Sequence, residues 1–240
     1  PATVNNCEIS PEHCSPVEHA ITFYITSDSD PSITLNAPTA GSVVHPGASA
    51  SINVSVQNFL LVPPGEGLSS AAGQVTIHFD DLAEPIGVGG SAGFEVTIPE
   101  EATSGPHQLT ARLVQDDGTV TDAETSVTVN VPTITIDEPV SNALLGKGGE
   151  FDVSIELQGF TLVPVDSGAA NALGEGHYQL FLDDEETAFF TGDKISATAI
   201  VPESASTGFH NLRLSLRNND GSPVGVDATV TIAIGEGIPV

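Results

Sequence analysis

The chain repeats itself once. Landmarks between residues 32 and 131 return in the same order between 133 and 234. Asn58-Phe59-Leu60-Leu61-Val62-Pro63 is answered by Gly159-Phe160-Thr161-Leu162-Val163-Pro164, and Asp80-Asp81 by Asp183-Asp184. Ile98-Pro99 with Gly105-Pro106-His107 is answered by Val201-Pro202 with Gly208-Phe209-His210. Pro63 and Pro164 are offset by 101 positions and His107 and His210 by 103, so one inserted dipeptide accounts for the drift. A unit of about 100 residues is too long for a solenoid repeat and long enough to bury its own core. The sequence therefore predicts two homologous domains, 31–131 and 132–240, behind an N-terminal arm over residues 1–30.

Within each repeat the hydrophobic period is two. Ile52, Val54 and Val56 alternate with Ser51, Asn53 and Ser55, and Leu212, Leu214 and Leu216 alternate with Arg213, Ser215 and Arg217. Such runs are strands with one face inward, and turn formers such as Pro46-Gly47, Asp117-Gly118, Gly148-Gly149 and Asp220-Gly221 separate them. Short alternating strands at this spacing predict an all-β chain of two tandem immunoglobulin-like antiparallel sandwiches. Strands are expected near 32–36, 50–57, 74–80, 93–98, 107–115 and 124–131, and again near 133–137, 151–158, 177–183, 194–201, 209–217 and 226–234. A further short strand is expected after each aspartate pair. Only Pro132 separates the last strand of one repeat from the first of the next, which predicts a stiff joint.

Charge narrows the function. Thirty-two acidic residues face five basic ones, Arg112, Lys147, Lys194, Arg213 and Arg217, for a formal net charge of -27. Nucleic acids and anionic lipid headgroups are bound through Lys and Arg, so neither is an expected partner. No apolar run approaches the roughly 20 residues of a membrane helix, so no membrane insertion is expected. The chain has no methionine and opens on Pro1, which reads as a processed, exported protein, extracellular, surface-bound or periplasmic. Cys7 and Cys14, six residues apart within the arm, are expected to close a small disulfide loop; a metal pair completed by His13 or His19 is the alternative.

Gly105-Pro106-His107-Gln108-Leu109-Thr110-Ala111-Arg112-Leu113, followed by Asp116-Asp117-Gly118, is similar to the late strand of bacterial immunoglobulin-like domains. The second copy, from Gly208 to Leu216 with Asn219-Asp220-Gly221, fits the same pattern. Domain 2 also resembles poorly characterised secreted bacterial β-sandwich domains. The likeness rests on Gly159-Phe160-Thr161-Leu162-Val163 and on Gly174-Glu175-Gly176-His177-Tyr178-Gln179-Leu180-Phe181-Leu182-Asp183. That group carries Gly-His-x-His before the aspartate, Gly-x-His later and Asp-His after the final turn. His177 and His210 match two of those histidines, Gln179 stands at the second position and Gly221 at the last. The resemblance implies a sandwich fold and leaves the activity open.

Two readings of the recurring His107 and His210 stay open. Each is either a metal ligand or a structural histidine at a strand start, bonded to a loop carbonyl much as a tyrosine corner is. For the metal reading, His177, His210 and Asp183 form the candidate copper or zinc set. Among the acidic clusters, Asp137 and Glu138 lie just past Pro132 and are the candidate ligands of an interdomain cation such as calcium, although no cluster has the spacing of a calcium loop. No metalloprotease helix or phosphate-binding loop occurs, so the chain is expected not to be an enzyme.

In the arm, Ile21, Phe23 and Ile25 alternate with Thr22, Tyr24 and Thr26. This strand lies outside both sandwiches and must pair with some sheet edge, that of domain 1 or that of a neighbouring subunit. The leading expectation is a secreted structural subunit of a filament or surface assembly, associating with copies of itself or another surface protein by adding Ile21, Phe23, Tyr24 and Ile25 as a strand. The alternative is a periplasmic or surface metal-binding module.

Overall fold

The alternating runs become strands whose apolar residues face inward in pairs of packed sheets. A computed structural model describes residues 3–4, 17–18, 29–66, 71–165 and 170–236. The arm contributes β1 (Thr3–Val4) and β2 (Val17–Glu18), paired antiparallel with Thr3 opposite Glu18. Cys7, Cys14 and the run Ile21, Phe23, Tyr24 and Ile25 lie outside the described residues.

The first repeat supplies β3 (Ser32–Ala37), β4 (Ser49–Gln57), β5 (Leu60–Leu61), β6 (Ala72–Phe79), β7 (Gly87–Gly89), β8 (Gly93–Thr97), β9 (Gly105–Gln115) and β10 (Val120–Val131). One sheet runs β3-β4-β8; the other runs β10-β9-β6-β5, with β7 also on β6. The second repeat supplies β11 (Thr133–Glu138), β12 (Leu144–Gly146), β13 (Glu150–Gln158), β14 (Thr161–Leu162), β15 (Glu175–Leu182), β16 (Phe190–Gly192), β17 (Ser196–Ile200), β18 (Gly208–Asn218) and β19 (Pro223–Gly235). Its sheets run β11-β13-β17 and β12-β19-β18-β15-β14, with β16 on β15. The chain is all-β, an immunoglobulin-like sandwich in each repeat. The short strands expected after the aspartate pairs are β7 and β16.

The inward residues close the two cores. Ile52, Val54, Val75, Ile77, Leu109, Leu113 and Val129 are buried in the first repeat, and Val153, Tyr178, Leu180, Leu212, Leu214 and Ile232 in the second. β5 and β14 were not expected from the sequence. They are the repeated Leu60-Leu61 and Thr161-Leu162, which pair parallel with the starts of β6 and β15. Two residues are too short a run for period two to register. Among the described residues no helix is long and apolar enough to cross a membrane.

Candidate functional site

The recurring histidines build one corner twice. Asp80 closes β6 in the left-handed region at φ 48°, and Asp183 closes β15 at φ 54°. Aspartate tolerates this conformation better than most side chains, which is why the turn carries it in both copies. The Asp80 amide donates to the Gln108 carbonyl at 2.8 Å, and the Gln108 amide returns a bond to Asp80 Oδ1 at 2.8 Å. His107 Nδ1 faces Asp80 Oδ2 at 2.7 Å and its Nε2 faces the Thr103 carbonyl at 2.5 Å. In the second repeat His210 Nδ1 meets Asp183 Oδ2 at 2.7 Å, its Nε2 meets the Ser206 carbonyl at 3.0 Å, and Asn211 N–H donates to Asp183 Oδ1 at 2.8 Å. A carboxylate and a carbonyl both accept, so each ring has an acceptor facing both of its nitrogens.

Each corner ties three segments together: the end of one strand, the start of its neighbour and the loop before it. Both rings are buried, and His107 stacks on Phe79 at 4.7 Å between centroids. Burial alone would push the Asp183 carboxyl up, but the His210 and Asn211 hydrogen bonds and the charge of His210 outweigh it and hold the carboxyl below its usual value.

The proposed metal set is not assembled as expected. His210 and Asp183 meet, but His177 does not join them. On β15 the inward residues are Tyr178, Leu180 and Leu182, so His177 has the outward parity; on β18 His210 shares the inward parity of Leu212 and Leu214. The register also places His177 opposite Arg217 and Leu182 opposite Leu212, at opposite ends of the pairing. Among the described residues no three His, Cys, Asp or Glu side chains are grouped to hold a metal ion. Asp137 and Glu138 are exposed at the far end of β11, about 15 Å along the strand from Pro132, so they do not sit at the joint. Other carboxylates cap turns. The Thr119 amide and hydroxyl lower the Asp117 carboxyl, and the Ser222 hydroxyl and amide lower that of Asp220.

Sequence reasoning missed His45. It sits in the loop before β4, 4% exposed, where its Nε2 accepts the Gly174 amide of the second repeat at 3.3 Å. Phe160 lies 6.3 Å from it, and Pro46 packs on Gly225 so closely that a Cβ there would come within 3.3 Å of the proline. The signal was a departure from the repeat: the matching position in the second copy is Gly146.

Burial lowers the His45 pKa from its ordinary 6.5, because the buried ring resists charge and its Nε2 must stay an acceptor. A depressed folded pKa contributes stability that is fully present above the unfolded value and lost as pH falls through the folded one. The acidic group facing the adjoining cleft is Glu100. We expect acidification below about pH 6.5 to loosen the joint by about 1 kcal/mol, the worth of one neutral hydrogen bond. Calorimetry is expected to resolve two melting transitions under acid and one at pH 7.5. His45→Gln should remove that pH dependence.

No protein-family model matches the chain, and no curated protein matches it. Solved structures do. The fibronectin(III)-like modules of Clostridium thermocellum CbhA are 18% identical at TM-score 0.30, with 85% of this chain and 94% of that one covered. The I9–I11 tandem of titin is 10% identical at TM-score 0.35, covering 85% and 66%. The Bacteroides ovatus mixed-linkage glucan utilization protein SGBP-B, in complex with a heptasaccharide, is 17% identical at TM-score 0.27, covering 86% and 48%.

Proposed function

We propose that this chain is a two-domain structural subunit of a secreted or surface assembly, associating with copies of itself through its N-terminal arm. The observation that carries the reading is the joint. Pro132 is the whole link, and His45, Val43 and Pro46 of the first repeat pack against Gly174 and Gly225 of the second. A linker of one residue backed by such contacts holds a fixed span, which suits a spacer. The recurring histidines support the same reading, since each is absorbed in a corner and neither offers a ring nitrogen free of an acceptor. The metal-module alternative therefore has less behind it.

The arm is tested by deletion. Each repeat has its own pair of packed sheets, so a chain lacking residues 1–30 is expected to keep its melting temperature within a few degrees. It is also expected to sediment as a monomer where the full chain associates. A truncated chain that unfolds would assign the arm to the core of the first domain. One that associates like the full chain would remove the arm from the interface.

A further inference from the structure

The second repeat departs from the first at three positions that fall together on the outer face of its larger sheet. Where the first has His78, Thr110 and Val114, the second has Phe181, Arg213 and Arg217. Phe181 has the outward parity on β15, yet it is 2% exposed, because the guanidinium carbons of Arg213 and Arg217 lie 4.2 and 5.2 Å from its centroid. Two of the chain's five basic residues thus share one ring. Their counterion is Asp227, 3.4 Å from Arg213, so two guanidiniums share one carboxylate. Arg217 Nε is buried with no hydrogen-bond partner among the described residues. Two guanidiniums facing one carboxylate leave a locally positive site, on a chain of net charge -27, that is one carboxylate short.

We infer that this face is a carboxylate-docking site, and that its occupant is an acidic loop of a second copy of the chain. The loop of best-matched charge is the exposed Asp184-Glu185-Glu186, the densest acidic run in the sequence. Arg213 and Arg217 donate to its carboxylates in planar hydrogen bonds while staying stacked on Phe181. The inference rests on the self-associating subunit reading and adds to the arm a second, electrostatic contact.

The test is sedimentation velocity of the full chain at about 0.15 M salt, with thermal melts to confirm folding. Arg213→Gln with Arg217→Gln is expected to raise the dissociation constant at least tenfold, as is neutralising Asp184, Glu185 and Glu186 together. Because the glutamines uncover Phe181, Arg213→Lys with Arg217→Lys serves as a second variant; it keeps the charge, loses the planar fork and is expected to weaken association less. An arginine variant that associates like the parent overturns the inference and leaves the arm reading standing. A parent chain monomeric at every concentration overturns both. Polygalacturonate bound through Arg213 and Arg217 by a chain that stays monomeric assigns the site to a foreign acidic polymer and overturns the second-copy proposal.

Discussion

Gly176→Ala is expected to be among the most damaging single substitutions in the chain, costing about 3 kcal/mol or more, with Gly73→Ala equivalent in the first domain. Neither glycine is needed for an unusual backbone angle. Each is needed because a neighbouring strand passes too close. A Cβ on Gly176 would lie 1.9 Å from the Arg217 carbonyl oxygen, and one on Gly73 would lie 2.1 Å from that of Val114. Those are backbone atoms in the sheet, so relief means shifting β15 against β18, or β6 against β9, along pairings that run from Gly176↔Asn218 and Gly73↔Gln115 into the core. Gly93→Ala supplies the comparison, since nothing lies closer than 3.9 Å to a Cβ there. Denaturant melts should place Gly93→Ala within about 1 kcal/mol of the parent. If Gly176→Ala is equally mild, the strands are not as close as the structure has them.

The two close-approach glycines also mark how far the sequence could be read. Their recurrence at one repeat position was visible, but a glycine that admits a neighbouring carbonyl looks the same in sequence as one that makes a turn. The strands were legible because burying one face forces period-two alternation, and repetition let each copy check the other. The corner was half legible. His107, His210 and the aspartate pairs all recurred, but the partners are 27 residues apart, and pairing them requires knowing that β6 lies beside β9. Parity could have separated His177 from His210 without a structure: one falls in register with Gln179 and Phe181, the other with Leu212 and Leu214. His45 and the Phe181 cluster were hidden for the opposite reason. They break the repeat, and reading by repetition passes over what occurs once.

The corner itself gives the second large effect. His210→Ala is expected to lower stability by about 2 to 3 kcal/mol, because it removes a hydrogen bond to a charged group, a second bond to the Ser206 carbonyl and the packing of a buried ring. Asp183 is 47% exposed, so water takes up part of what its Oδ2 loses, and this holds the cost below that of stranding a buried charge. His107→Ala should cost a similar amount in the first domain, with the stacking on Phe79 lost in addition. Because Asp183 is held below its usual pKa, the part of the corner's stability that depends on its charge is present above about pH 4 and lost as pH falls through the folded value. His210→Ala should therefore flatten the acid limb of the stability profile as well as lower the plateau. Both losses should be the same with copper, zinc or chelator present, since the ring nitrogens are spent on the carboxylate and the carbonyl. A loss confined to the second domain and seen only with metal, as a melting-temperature shift that follows metal concentration, would instead make His210 a ligand.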